Sequence, residues 1–206
     1  MKLVKLHQQE AYIFYKEKIR SIFFVTSLLF VLALLIVELV LSTNPGLATR
    51  LLIELQNVFN AKQIVNVYGN ISAFSLIGNN LVATFSSLVL GIIPFVFIPA
   101  FTAILNGGVI GVLFGSISIT TTSIPFLLAG LLPHGIFEIP AMILSVSLGI
   151  YICKETTLFI LGKRKHFKLK SLAFNILRIY GFIIVPLLII AGLIEAYITP
   201  VILNLF

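Results

Sequence analysis

Five long runs of apolar residues, each near the length that crosses a bilayer, dominate the hydrophobic pattern of the chain. A spanning helix needs about 20 apolar residues, because each residue rises ~1.5 Å through a hydrocarbon core ~30 Å thick. We expect spans at about residues 21–41, 76–105, 106–121, 133–153 and 180–203. The pattern therefore predicts an all-α, polytopic transmembrane helix bundle that forms one integral membrane domain, residues 1–206.

Two stretches outside these spans predict shorter helices. Residues 47–68 carry apolar positions three to four residues apart, as an amphipathic helix in the membrane interface does. Residues 124–132 are too few to cross a bilayer, and they precede Pro133, a residue well suited to a first helical turn. We expect the first stretch to lie flat on the membrane and the second to form a short interfacial or re-entrant helix.

The boundary between the second and third spans is expected at the turn "NGGVIG", residues 106–111. The second span also contains residues that loosen a helix, Gly91, Pro94 and Pro99. Gly107 and Gly111 lie one helical turn apart, so they are expected to face a neighbouring helix, with Asn106 beside them in the same helix-packing segment. The alternative is that both glycines only relax a cytoplasmic turn.

Composition supports a membrane protein independently of the pattern. The 206 residues are 59% hydrophobic and only 10% charged, and they include no tryptophan and no aspartate. A chain with so few polar groups cannot cover its apolar surface in water. The lipid bilayer is therefore the first partner that the sequence implies.

The positive charge of the chain is concentrated in two places. Of the 14 Lys and Arg residues, five lie in residues 2–20 and seven in residues 154–178. They are not spread as a nucleic-acid-binding face would require, whereas such clusters mark the cytoplasmic ends of spans. Five spans place both clusters on the same side. We therefore expect a multi-pass cell-membrane protein with a cytoplasmic N-terminus, an extracytoplasmic C-terminus and no nucleic acid partner.

Isolated polar residues interrupt the apolar spans, and the stretch "LLPHGIFEIPA" (131–141) holds two of them. His134 and Glu138 are four residues apart and share one helix face. The expected topology puts a set of such residues in the outer half of the bundle: Glu38, Asn79, Asn80, His134, Glu138 and Glu195. An ionised carboxylate is costly there unless it is paired, hydrated or protonated, so we expect these side chains to surround an intramembrane polar pocket.

Three roles are open for this pocket. Its side chains could join helices, each interhelical bond contributing about 0.6 kcal/mol. They could line a functional cavity that docks a partner or transfers ions or protons. One histidine and two or three glutamates could also bind a catalytic metal, but the second histidine that most such sites use is absent from the spans, since His7 and His166 lie in basic segments. We therefore predict no catalytic residue, no metal ligand and no cofactor.

Four motifs, in this order, resemble the stage II sporulation protein M family of integral membrane proteins: "NN" at 79–80, "NGGVIG" at 106–111, "LLPHGIFEIPA" at 131–141 and "LIEAYITP" at 193–200. The resemblance extends from about residue 14 to residue 203. It implies a five-span protein without catalytic activity of its own. In spore-forming bacteria, the family's namesake is a scaffold for two peptidoglycan-degrading enzymes during septal thinning and engulfment of the forespore.

The resemblance makes a membrane scaffold, or partner-binding protein, the favoured function. Peptidoglycan hydrolases or other membrane and envelope proteins are the expected partners, and a homo-oligomer is another arrangement that closely approaching glycine-rich helices would allow. The clustered carboxylates and proline-broken spans leave open a small-solute transporter or one coupled to ions or protons. An intramembrane metal-dependent hydrolase is the remaining alternative, and it would require a bound metal.

Overall fold

The computed structural model describes residues 2–61, 72–120, 122–164 and 169–206. These residues are almost entirely helical and include no strand, which confirms the predicted all-α class. The described part of the chain contains five helices that are long and apolar enough to cross a membrane, called here the first to fifth spans: Leu6–Ser42, Ala73–Leu90, Ile98–Ile119, Ile124–Ile160 and Lys170–Leu203. The protein is therefore a multi-pass membrane protein with the predicted number of spans.

The first span lies within one continuous helix that has three parts. Helix α1 (Lys2–Phe14) leads through a π-helical turn (Tyr15–Ile19) into helix α2 (Arg20–Ser42). α2 carries large apolar side chains on most of its surface, and many of them are exposed at the outside of the bundle. A helix that is apolar nearly all round suits a lipid environment.

A shorter helix, α3 (Pro45–Ala61), follows the first span. Proline is favourable at the start of a helix, because an N–H group there has no partner within the helix. Ala48 is fully buried, and α3 packs on the ends of the first and third spans. α3 therefore corresponds to the predicted amphipathic helix, although the expected part beyond residue 61 lies outside the described residues.

The break between the second and third spans lies earlier in the chain than expected. Helix α4 (Ala73–Leu90) and helix α5 (Ile98–Gly115) are joined by residues 91–97, so the second span does not continue to residue 105. The predicted turn at residues 106–111 is wrong, because these residues lie in the middle of α5. A 3₁₀ turn at Ile117–Ile119 ends the third span.

Local chemistry and a contact to the fourth span explain this connection. Pro94 has no N–H group with which to continue a helix. Phe95 and Phe97 have φ angles of 69° and 49°, a left-handed conformation that is uncommon for residues with a side chain. The Phe95 N–H donates a 2.9 Å hydrogen bond to Oγ1 of Thr157, which holds the connection against the fourth span.

The fourth span is a single helix, α6 (Ile124–Ile160), of 37 residues. The Ser123 hydroxyl caps it by accepting a 3.3 Å hydrogen bond from an N–H group of the first turn, so the helix starts well before Pro133. The predicted separate helix at residues 124–132 is therefore wrong. Pro133 and Pro140 lie inside α6, which a membrane helix tolerates because neighbouring groups and local adjustments satisfy the freed carbonyls.

The fifth span begins earlier than expected and contains two kinds of helical turn. Helix α7 (Leu169–Ile179) precedes a π-helical turn (Tyr180–Ile184), and helix α8 (Val185–Leu193) precedes a second one (Ile194–Ile198). Helix α9 (Thr199–Leu203) completes the span. Single π-helical turns inside α-helices occur frequently at functional sites, and the second one carries Glu195.

The described parts of both basic segments meet at one end of the bundle, called here the basic end. Arg178 pairs with Glu10 at 2.5 Å and donates to Nδ1 of His7 at 3.1 Å, so α7 is tied to α1. Arg164 donates to Glu155 at 3.0 Å beside the end of α6. The fifth span starts here and runs away from it, so α9 lies at the opposite end of the bundle.

α6 occupies the centre of the bundle. It contacts the first, second, third and fifth spans. Its middle part is buried almost without interruption: Ala141, Ile143, Leu144, Ser145, Val146, Ser147, Leu148 and Gly149. Where α4 crosses α6, a side chain on Gly149 would collide with the carbonyl oxygen of Ser87. Such close contacts between small residues hold membrane helices together, because lipid provides no hydrophobic force between them.

Candidate intramembrane polar site

A cavity of about 470 Å³ lies in the half of the bundle away from the basic end. Its walls come from α4, α5, α6 and the end of the fifth span, with Phe30 of α2 at one side. Most of the lining is apolar. The polar side chains on its wall are Asn79, Asn80, Asn106, His134, Glu138 and Glu195.

Three of these side chains converge. His134 and Glu138 lie one turn apart on α6, and Glu195 reaches them from the π-helical turn of the fifth span. One imidazole nitrogen and one oxygen from each carboxylate all lie within 4.8 Å of one another. The fold therefore joins residues that are far apart in the sequence, and it places two carboxylates close together, an arrangement in which ionising both is costly.

Asparagine side chains of the second span complete this part of the wall. The amide of Asn80 is within hydrogen-bonding reach of the Glu138 carboxylate, and Asn79 also faces the cavity. Nδ1 of His134 is buried and has no hydrogen-bond partner among the described residues. Asn80 thus supports the cluster at Glu138, whereas the hydrogen-bonding capacity of His134 Nδ1 is unsatisfied among the described residues.

Glu38 does not join the others. It lines a second cavity, of about 360 Å³, whose walls come from α2, α5 and α6. Four apolar residues line both cavities and so lie between Glu38 and the polar cluster: Phe30, Ile110, Leu131 and Ile139. Glu38 was expected at a similar depth to Glu138, but the two are not neighbours, because Glu38 faces a different groove.

Asn106 lies in the cavity wall rather than in a helix-packing contact. Its side-chain amide donates a 2.8 Å hydrogen bond to the carbonyl oxygen of Thr102, one turn earlier in α5. The prediction grouped Asn106 with the glycines that follow it, because Asn-Gly-Gly was interpreted as a turn. An isolated asparagine within an apolar helix was the signal that could have placed it with the cavity residues.

Gly107 and Gly111 face α2 from a different side of α5. A Cβ atom at Gly107 would overlap the carbonyl oxygen of Phe30, and one at Gly111 would lie 2.6 Å from that of Leu34. Gly115 continues this row one turn later, where a Cβ atom would again collide with α2. The first and third spans thus approach each other with backbone against backbone, a contact that a turn between spans would not make.

Hydroxyl groups make further hydrogen bonds between helices beside the cavity. Ser145 on α6 donates to the carbonyl oxygen of Thr84 on α4 at 2.7 Å. Tyr180 donates to the carbonyl oxygen of Leu81 at 3.0 Å, and its hydroxyl lies 3.1 Å from Oγ1 of Thr84. The sequence pattern did not indicate these contacts, because a single hydroxyl in an apolar helix gives no signal of what it contacts.

Comparisons with known proteins extend the sequence resemblance. The sequence model of the family described as stage II sporulation protein M matches residues 22–200. An uncharacterized protein of Methanocaldococcus jannaschii is 38% identical over 143 residues, which cover 68% of this chain and 79% of the relative. No solved structure matches the chain.

Proposed function

The chain belongs to the stage II sporulation protein M family, and on that premise we propose that it is a membrane scaffold that binds other membrane or envelope proteins. The observation that carries the proposal is the extent of the family match, which covers residues 22–200. The matched part is the helix bundle itself, so the bundle is the unit that would bind partners. Enzymes that degrade peptidoglycan are the partner class to test first, because the family's namesake assembles with them.

The surface of the first span is the docking face that we propose. Only 17% of its most apolar window is buried within the bundle, compared with 56% for the fourth span. Exposed apolar residues such as Leu28 and Leu35 extend along α2 and can pack against either lipid or a partner's membrane anchor. A partner with a single membrane-spanning helix fits such a face, since van der Waals packing drives helix association in lipid.

Photo-crosslinking in native membranes tests the scaffold. A photoreactive amino acid at Leu28 or Leu35 of α2 is expected to capture the same envelope protein from both positions, whereas one at Val82, exposed on α4, should capture only lipid. Mass spectrometry identifies the captured protein. Capture of lipid alone from all three positions contradicts a docking face on α2, and capture of a second copy of this chain would identify a homo-oligomer instead.

We further propose that the basic end is cytoplasmic and the cavity end extracytoplasmic. The proposal rests on the concentration of lysine and arginine in residues 2–20 and 154–178, because positive residues are retained on the cytoplasmic side. A reporter fused after Phe206 is expected to be extracytoplasmic, and one inserted near Lys165 cytoplasmic. Cytoplasmic labelling of the C-terminus would reverse the orientation of the cavity.

Transport coupled to ions or protons is a second candidate function, which the polar cavity favours. A cavity of about 470 Å³ lined by two glutamates and a histidine within an apolar bundle is typical of pathways for ions or small solutes. In liposomes, such a transporter would carry a pH-dependent flux that Glu138→Gln abolishes. Equal flux through liposomes with the native protein, with this variant and without protein would contradict it. A metal-dependent hydrolase would additionally need a metal ion bound at this cluster.

A further inference from the structure

The convergence of His134, Glu138 and Glu195 has a chemistry of its own, whichever protein the bundle binds. The three donor atoms come from two helices and face one cavity. We propose that these side chains form a binding site for one divalent transition-metal ion of the zinc and manganese class. The proposal does not rest on the scaffold function, and either could be wrong without the other.

The spacing of the donor atoms is close to that of a metal site. All three lie within 4.8 Å of one another, whereas ligands at ~2.0–2.1 Å from a tetrahedral zinc ion are about 3.4 Å apart. The longest of these separations must therefore shrink by no more than about 1.4 Å, given that bond length. Rotation of a flexible glutamate side chain supplies such a movement without any shift of the helices.

Charge provides a second and independent reason. No lysine or arginine is among the described residues that line the cavity, so the two carboxylates have no permanent positive partner there. Ionised groups within a membrane bundle pair with one another or with ions, because an isolated charge is costly. One divalent cation would neutralise both carboxylates at once.

The surroundings of the cluster also fit a metal site. Ligating carboxylates are usually oriented by a further hydrogen bond, and the amide of Asn80 is placed to give one to Glu138. Nδ1 of His134 is buried without a hydrogen-bond partner among the described residues. A buried polar atom left in this way destabilises the fold, and coordination or a water molecule next to a bound ion would remove that cost.

The donor set narrows the class of ion. Imidazole suits zinc, iron and nickel, whereas carboxylates suit manganese and other hard ions, so a mixed set of one nitrogen and two oxygens favours zinc or manganese over magnesium. Soft ions such as Cu(I) prefer thiolates. The free Cys153 donates a hydrogen bond to the carbonyl oxygen of Ile93 at the basic end and is therefore not a ligand here. The remaining coordination positions would face the cavity, which has room for water.

Metal titration of the full chain tests the proposal. The protein, purified in detergent and stripped with a chelator, is titrated with Co²⁺, whose visible absorption reports on its ligands, and then with Zn²⁺ as competitor. One ion per chain is expected, with a higher thermal midpoint when Zn²⁺ is bound, because a ligand that binds only the folded state stabilises it. His134→Asn, Glu138→Gln and Glu195→Gln each remove a ligand and are expected to weaken binding by at least the ~100-fold that loss of a ligand-orienting residue can cause.

Matched variants separate this site from other metal binding. Glu38→Gln changes a carboxylate in the neighbouring cavity and should leave the affinity unchanged. Asn80→Ala leaves all three ligands in place and should weaken binding about tenfold through the lost hydrogen bond to Glu138, so it remains informative if a ligand variant fails to fold. Absence of binding to the native protein, or binding that persists unchanged in all three ligand variants, overturns the proposal.

Discussion

Two sides of the same helix, α5, are built in opposite ways. Toward α2, positions 107, 111 and 115 are glycines, so the backbones of the first and third spans touch. Toward α4 and α6, α5 presents Asn106, Val109 and Leu113 to a cavity of about 470 Å³. One side has no free space, and the other encloses enough for several water molecules.

The difference shows how a membrane bundle can keep a polar cavity. Helices in lipid gain little from burying apolar surface, so their association depends on close van der Waals contact. The glycine row on α5 provides such contact on one side, and the close crossing of α4 and α6 at Gly149 provides it in the centre. The helices around His134 and Glu138 are therefore anchored elsewhere, and their side chains need not fill the space between them.

The largest loss of stability is expected from adding a side chain to the face of α5 that packs on α2. In Gly111→Leu, the new side chain would meet the Leu34 carbonyl oxygen, 2.6 Å from where its Cβ must lie, and Cβ of Val37 at 2.8 Å. Backbone cannot move aside as a side chain can, so the first and third spans must separate. We expect a loss of about 3 kcal/mol or more of unfolding free energy, measured by thermal or denaturant unfolding in detergent.

Gly78→Leu is the matched control for that substitution. Gly78 lies within α4, and a Cβ atom there would have nothing within 4 Å. The control variant should unfold close to the native protein. Equal stability of Gly111→Leu and Gly78→Leu would mean that the contact between α2 and α5 does not support the bundle.

A smaller effect is expected from removing a hydrogen bond between helices. Ser145→Ala deletes the 2.7 Å bond to the Thr84 carbonyl oxygen and should cost about 1 kcal/mol. Ser147→Ala is its control, because the hydroxyl of Ser147 is equally buried but bonds within its own helix, to Ile143 at 2.6 Å. If the two variants unfold alike, then the bond between α4 and α6 adds nothing beyond a local one.

The cavity should tolerate the substitution of a polar side chain in its wall. Glu138→Gln keeps the shape of the side chain and an oxygen that can accept from Asn80, so the metal-free protein should lose less than about 0.6 kcal/mol of unfolding free energy. Circular dichroism and unfolding in detergent measure this. A loss as large as that of Gly111→Leu would show that the carboxylate serves helix packing, and the contrast between the two sides of α5 would disappear.

The smallest structural change tests whether the cavity holds water. Asn106→Cys should leave the fold unchanged and react with a charged, membrane-impermeant maleimide added to the side that the cavity faces. Leu105→Cys is the control at almost the same depth, since Leu105 is 68% exposed on the outside of the bundle and should lie in lipid. The native Cys153 is buried and contributes little background. Failure to label Asn106→Cys would mean that the cavity is closed to water.

Local signals predicted the existence of the spans better than their ends. Gly91, Pro94 and the Asn-Gly-Gly sequence at 106–108 all favour a turn, and nothing within the sequence ranked them. The bond from Phe95 to Thr157 and the contact of Gly107 with α2 decided between them. Similarly, Pro133 could begin a helix or lie inside one, and the cap at Ser123 made α6 continuous.

The sequence by itself determined the class of protein, the five apolar spans, the two basic segments and the motifs of the family. These follow from local composition, since the cost of placing charge or apolar surface in the wrong medium depends on the residue more than on its neighbours. Only the tertiary structure decided which polar groups meet. Glu195 lies beside Glu138 although the two are on different helices. Apolar side chains separate Glu38 from this cluster. Asn106 lies in the cavity wall and not with Gly107 and Gly111 at the contact with α2. The physical reason is that helix periodicity determines which residues lie on the same face of a helix. How the helices cross determines which of those faces lie next to each other.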